Sequence, residues 1–183
     1  MSITLSPMRA DDIAAVARLA RVVWQVTYRD IITQAQIDYM LDERYAAPRL
    51  LAELASDAHW WDLAREASPA LGAAATPDAA GAPGGTLLAF AATQRSSQPG
   101  ELKLDKLYVD PAQQRRGIGG ALIARAVART RDLGCHTLIL AVNKNNAPAI
   151  AAYGKHGFAV RESVRVDIGH GFVMDDFIMA RSV

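Results

Sequence analysis

A strand-like run ending in Leu107-Tyr108-Val109 is followed by Asp110-Pro111. The polar turn Ala112-Gln113-Gln114-Arg115-Arg116-Gly117-Ile118-Gly119-Gly120 then opens the longest helical pattern of the chain. The first N–H groups of a helix have no partner within it, and they lie at the positive end of its dipole, so this order of residues favours an anion at the helix start. Gly117 and Gly119 let backbone approach a phosphate with no Cβ in the way, and Arg115 and Arg116 add charge. Two other phosphate motifs do not fit. No Gly-Lys-Ser/Thr follows for a P-loop, and Leu122 stands where the third glycine of a dinucleotide fingerprint belongs.

The periodicity on either side sets an α/β order. Ile3–Met8 reads as a strand and Ala10–Val23 as an amphipathic helix with Asp11 and Asp12 near its start, followed by helical patterns at about Thr33–Leu41 and Pro48–Ala55 and a strand at His59–Arg65. Glu66 to Gly85 turns to Ala, Gly, Pro and Thr, which predicts a long flexible loop within one domain spanning residues 1–183. Thr86–Thr93 and Glu101–Val109, joined by Ser96-Ser97-Gln98-Pro99-Gly100, read as antiparallel neighbours. Gly117–Leu133 is a helix ending at Gly134, with Ile118, Leu122, Ala126 and Val127 inward and Arg125 and Arg129 outward. Thr137–Val142 is a continuously apolar strand, Ala147–His156 a short helix, and Phe158–Ile168 and Phe172–Arg181 a closing hairpin around Gly169-His170-Gly171. Together these give an α/β fold with a mixed sheet.

Charge and composition narrow the function classes. The net charge is +1, but residues 1–100 carry 8 basic against 11 acidic side chains and residues 101–183 carry 12 against 8. The acids concentrate between Asp30 and Glu66, where they either attract a cation or form solvated surface. The basic run Lys103–Arg131 holds a single aromatic, Tyr108, and the pI is only 7.9, so nucleic acid is not expected as a partner. No apolar run approaches the ~20 residues of a membrane span, and Met1–Arg9 lacks an export pattern, so neither a membrane partner nor secretion is expected. With Cys135 as its single cysteine, the chain reads as cytoplasmic, without disulfide or zinc site.

The strand and turn, with Gln114, Gly117 and Gly119 after Leu107-Tyr108-Val109, resemble the first signature of the GNAT superfamily of acetyl-CoA-dependent N-acetyltransferases. Asn143-Lys144-Asn145-Asn146-Ala147, continuing to Tyr153-Gly154-Lys155-His156-Gly157-Phe158, is similar to its second. Trp24-Gln25-Val26-Thr27-Tyr28, Ile37-Asp38-Tyr39-Met40-Leu41 and the ending Gly171–Met179 resemble a bacterial branch that includes polyamine acetyltransferases. The resemblance implies a mixed, mostly antiparallel central sheet of about seven strands flanked by helices. It also implies acetyl-CoA as cosubstrate with no metal. The backbone of Leu107, Tyr108 and Val109 would hold the pantetheine arm, and Gln114, Arg115, Arg116, Gly117, Ile118, Gly119 and Gly120 the pyrophosphate. Asn146 and Tyr153 would lie beside the cofactor, and a backbone N–H on the Val109 strand would stabilise the oxyanion as an amine attacks directly. Tyr153 matches the family's acid by position. Gly154 and Ala141 depart from the pattern, and Ala141 replaces a glutamate that some members use as base.

The base is therefore open. Asp105 is the candidate for a base relay, because strand alternation would set it on the face of Leu107 and Val109; a bulge near Val109 would break that count, and an ion pair with Lys103 is the other reading. Trp24 and Tyr28, one helical turn apart, either line an acceptor pocket or belong to the core. His170, Asp175 and Asp176 read as solvated hairpin residues, with contact to substrate as the other reading, and Cys135 as a small buried hydrophobe. The expected partner is a small-molecule primary amine, most simply a polyamine or similar cation, and a homodimer is compatible with the sequence. The alternatives are acetylation of a protein N-terminus or lysine, and a catalytically silent acyl-CoA-binding module.

Overall fold

A computed structural model describes residues 2–67 and 85–183. In chain order the elements are β1 (Ile3–Pro7), α1 (Ile13–Tyr28), α2 (Gln34–Tyr45), α3 (Ala47–Ala55), β2 (His59–Glu66), β3 (Leu87–Arg95), β4 (Glu101–Val109), α4 (Ile118–Asp132), β5 (Thr137–Asn143), α5 (Ala147–Lys155), β6 (Ala159–Gly169) and β7 (Phe172–Ser182). The loop expected at about 66–85 falls largely on residues 68–84, outside the described residues. The seven strands form one sheet in the order β1-β2-β3-β4-β5-β7-β6. Every neighbouring pair is antiparallel except β4 and β5. The mixed, mostly antiparallel sheet expected from the sequence is thus the architecture found.

Two apolar layers sandwich the sheet. On one face Val16, Ala20, Val23 and Trp24 of α1, Ile37, Met40 and Leu41 of α2 and Leu50 of α3 pack on Trp61, Leu63 and Phe90. On the other, Ile118, Leu122, Ile123, Ala126 and Val127 of α4 cover Leu88, Leu102, Leu104, Leu138 and Leu140. Local signals delimit the helices. Thr33 Oγ1 accepts from Gln36 N–H at 3.2 Å and starts α2. Gly134, at φ +69, ends α4 by donating to Arg131 O at 2.9 Å.

One orientation differs from the sequence expectation. Arg125 and Arg129 of α4 do not simply face solvent; both reach Asp62 on β2, which is 3% exposed. Asp62 alternates with Trp61 and Leu63, so strand geometry turns it toward α4, where a buried carboxylate is stable only if cations come to it.

Candidate active site

The parallel ladder between β4 and β5 stops early. Pairing runs from Glu101 with Thr137 to Leu104 with Leu140 and goes no further, although β4 continues to Val109 against β3 and β5 to Asn143 against β7. The two strands splay beyond that point. Asp110 N–H donates to Leu88 O at 2.8 Å on the β3 side. Alternation then turns the N–H and C=O groups of Leu107 and Val109 toward the opening. These are backbone groups arranged to accept one more extended chain.

At the end of this edge Asp110 Oδ1 accepts from Ala112 N–H at 2.9 Å and fixes a single 3-10 turn, Pro111–Gln113. Exposed Gln114, Arg115 and Arg116 follow, with Arg115 at φ +60 and Gly117 at φ +79, and Arg116 hydrogen-bonds Gln113. Non-glycine residues rarely adopt such a positive φ, and here it curls the turn over the start of α4. No side chain caps that start, and a Cβ on Gly117 would meet open space. The start of α4 thus offers uncapped N–H groups, open space and two nearby arginines, features that suit an anion.

On the α1–α2 face, the splay opens into a small cleft that is open to solvent. Its walls include Trp24, Tyr28, Met40, Arg44, Lys103, Asp105, Tyr108, Ala141, Asn143 and Asp176. Trp24 and Tyr28 pack with the core and also line the cleft. Their ring centroids lie 4.6 Å apart, Trp24 is 3% exposed within the core, and both line the cleft. The Tyr108 ring lies 6.0 Å from that of Trp24. Burial raises the hydroxyl pKa of both Tyr28 and Tyr108. Both phenols therefore stay protonated at neutral pH.

Asp105 differs from expectation in orientation. Ala92 pairs with Lys106 and Thr93 with Leu104, so Asp105 is the extra residue of a β-bulge. The bulge breaks the alternation. Asp105 and Tyr108 face the cleft, while Leu107 and Val109 pack toward α4. Lys103 Nζ lies 2.8 Å and Lys106 Nζ 2.9 Å from the Asp105 carboxylate, with Arg44 at 4.0 Å. Burial alone would raise the Asp105 carboxyl, but Lys106, Lys103 and Arg44 outweigh it and hold the group well below the usual carboxylate range. A carboxylate so stabilised is a weak base.

Asp176 is not the solvated hairpin residue that its sequence reading favours. It is 4% exposed, lines the cleft from β7, and among the described residues makes no ion pair or hydrogen bond through its carboxylate. Burial raises its carboxyl; Arg44 opposes this, and Asp175 adds to it. Asp175 is exposed as expected and pairs with Lys144, and His170 lies in the exposed hairpin turn, its ring 4.9 Å from that of Tyr39. The acids of Asp30–Glu66 do not line the cleft; Glu53 and Asp62, for example, are engaged by Lys106 and by Arg125 and Arg129. Cys135 is half-buried.

Asn146 caps α5, its Oδ1 accepting from Ala149 N–H at 3.3 Å, and is 7% exposed. Tyr153 is half-buried on α5, its ring 5.8 Å from Phe158, and burial followed by the nearby Tyr28 raises its hydroxyl pKa. No group of three or more metal-ligating side chains occurs among the described residues, and no helix there is long and apolar enough to cross a membrane.

Residues 33–158 match the acetyltransferase (GNAT) family. The chain is 26% identical over 175 residues to spermidine N(1)-acetyltransferase of Thermoplasma acidophilum, covering 96% of this chain and 97% of the relative. It is 40% identical over 74 residues to the ribosomal protein bS18-alanine N-acetyltransferase of Escherichia coli K12, covering 40% of this chain and 49% of the relative. The solved structure of PaiA N-acetyltransferase from Thermoplasma acidophilum in complex with coenzyme A has the same fold, with a TM-score of 0.78 over 100% of both chains at 22% identity.

Proposed function

Since the chain belongs to the acetyltransferase (GNAT) family and is an acetyl-CoA-dependent N-acetyltransferase, we propose that its acceptor is the primary amine of a small cationic molecule such as a polyamine. The observation that carries this reading is the meeting of the unpaired β4 edge with a cleft walled by Trp24, Tyr28 and Tyr108. Aromatic faces attract ammonium groups, and a concave cleft suits a small acceptor better than a flat surface would. Similarity to a spermidine acetyltransferase along nearly the full chain supports the same class.

Acetyl-CoA supplies an activated acetyl thioester, and the residues present fit it. Leu107 and Val109 hold the pantetheine arm through their free backbone groups, with Tyr108 between them turned to the acceptor side. Gln114, Arg115, Arg116, Gly117, Ile118, Gly119 and Gly120 wrap the pyrophosphate at the head of α4. An N–H of the β4 edge faces the carbonyl oxygen and stabilises the charge that develops there. Asn146 fixes the start of α5 and so positions Tyr153. Tyr153 keeps its proton at neutral pH because burial raises its pKa, and it presents that O–H to the departing sulfur. Trp24 and Tyr28 hold the acceptor. Asp105, neutralised by its three cations, keeps the cleft wall in shape.

A protein N-terminus is the competing acceptor, favoured by the 40% identity over 74 residues to the bS18-alanine enzyme. CoA release with spermidine and with an alanine-ended peptide, followed by mass spectrometry of the products, separates the two. Acetylspermidine formed with the higher kcat/KM supports the small-amine reading, and faster acetylation of the peptide overturns it.

A further inference from the structure

Within the cleft, proton removal from the acceptor still lacks an agent. An alkylamine with a pKa near ~10 reaches the site as an ammonium ion, and an ammonium nitrogen has no lone pair to attack with. Arg44 and Lys103 are cations and cannot accept the proton, and Asp105 is already engaged by them and by Lys106. Tyr28 and Tyr108 hold their own protons. Asp176 is different. It sits on β7 in register with Asn143 of β5, beyond the Leu104–Leu140 pair where β4 and β5 part, which puts it beside the splay. It is 4% exposed, lines the cleft, and its carboxylate has no ion pair or hydrogen bond among the described residues.

Resting on the acetyl-transfer reading, we propose that Asp176 receives the acceptor's ammonium group and takes its proton as the general base. An ion left unpaired in a buried site is costly, and a bound ammonium supplies the missing partner. In the step, an ammonium N–H bond breaks and the proton passes to an Asp176 carboxylate oxygen. The freed nitrogen pair forms the N–C bond and the C–S bond breaks; the sulfur leaves with its electron pair and takes the Tyr153 hydroxyl proton, and the second proton that the nitrogen sheds to become a neutral amide restores the tyrosine. Asp176 then returns its proton to solvent through the mouth of the cleft. The groups that set its charge are Tyr28 of α1, Arg44 of α2, Lys103, Asp105 and Tyr108 of β4, Lys144 after β5 and Asp175 beside it. Strand β6 sets uncharged Val164 opposite, and Glu162 farther along is paired with Arg161. Burial favours the protonated form, which moves the carboxyl in the direction a base working near neutral pH requires.

The test is the pH profile of Asp176→Asn against wild type with two acceptors of different basicity, spermidine and an alanine-ended peptide. At pH 7 the variant is expected to keep wild-type acetyl-CoA affinity, measured by ligand-induced stabilisation, and to lose about 10²-fold in kcat/KM. The loss should fade as the acceptor deprotonates by itself, near pH ~8 for the peptide α-amine and near ~10 for the alkylamine. A loss independent of pH and of acceptor basicity, or no loss, overturns the base assignment. If wild type acetylates the peptide and not spermidine, the polyamine reading fails while the peptide profile still decides the role of Asp176.

Discussion

Asp105 and Lys106 are consecutive on β4, yet Lys106 Nζ lies 2.9 Å from the Asp105 carboxylate. A regular strand sends neighbours to opposite faces; the bulge at Asp105 brings the two together beneath the cleft. Lys106 is 3% exposed, also reaches Glu53 at 3.3 Å, and stands over the Trp61 ring. Asp105→Asn weakens the compensation of a buried ammonium, and a loss on the order of 3 kcal/mol is expected from urea unfolding at pH 7. Because its cations depress the Asp105 pKa in the folded state, its stabilisation is fully present above the unfolded value of ~4. The gap between wild type and variant should therefore persist from pH 8 down to that value and close below it.

Asp176→Asn should behave in the opposite sense. The Asp176 pKa is raised on folding, so the wild-type carboxyl favours the fold below the unfolded value of ~4 and loses that contribution as pH rises through the folded value. Thermal unfolding of the ligand-free proteins at pH 8 should find the variant at least as stable as wild type. An advantage that shrinks toward pH 4 is the expected pattern.

Gly119→Val is expected to abolish acetyl-CoA binding while leaving the fold intact. The added Cβ would lie 3.6 Å from Val109 Cγ2, an ordinary contact, so the protein itself accommodates it. The added branches occupy the space in front of the α4 N–H groups that a pyrophosphate needs. The melting temperature should stay near wild type and should not rise with acetyl-CoA.

Tyr153→Phe keeps the ring that packs on Phe158 and removes the hydroxyl. Single-turnover acetyl transfer is expected to slow by roughly 10² or more, with unchanged acetyl-CoA affinity. The loss should shrink for a thioester whose thiol is more acidic than CoA. A change within about twofold would make Tyr153 a packing residue.

The strand, glycine turn and helix at Leu107–Gly120 were legible because the motif is local: residue types at fixed spacing dictate the uncapped helix start and the space before it. The succession of elements along the chain followed for a similar reason, each carrying its own periodicity. Side-chain direction was less legible. The bulge at Asp105 has no composition signal of its own, so simple alternation put that residue on the Val109 face. Adjacent Asp175 and Asp176 look alike in sequence, yet alternation sends one to each face, and only the pairing of β7 with β5 fixes which is buried. Met174, Asp176 and Ile178, at a spacing of two in an apolar strand, were the available signal. Arg125 and Arg129 were read outward because they are charged, and the clue against it was Asp62 inside the apolar run His59–Ala64.

The most direct measurement is wild-type kcat/KM for spermidine against a primary amine of similar length ending in a carboxylate, at low ionic strength. With no direct ion pair on the Asp176 carboxylate and aromatic walls beside it, spermidine is expected to be preferred by at least about tenfold, and added salt should narrow the difference. Equal specificity constants for the two amines would contradict a cleft built for a cationic acceptor.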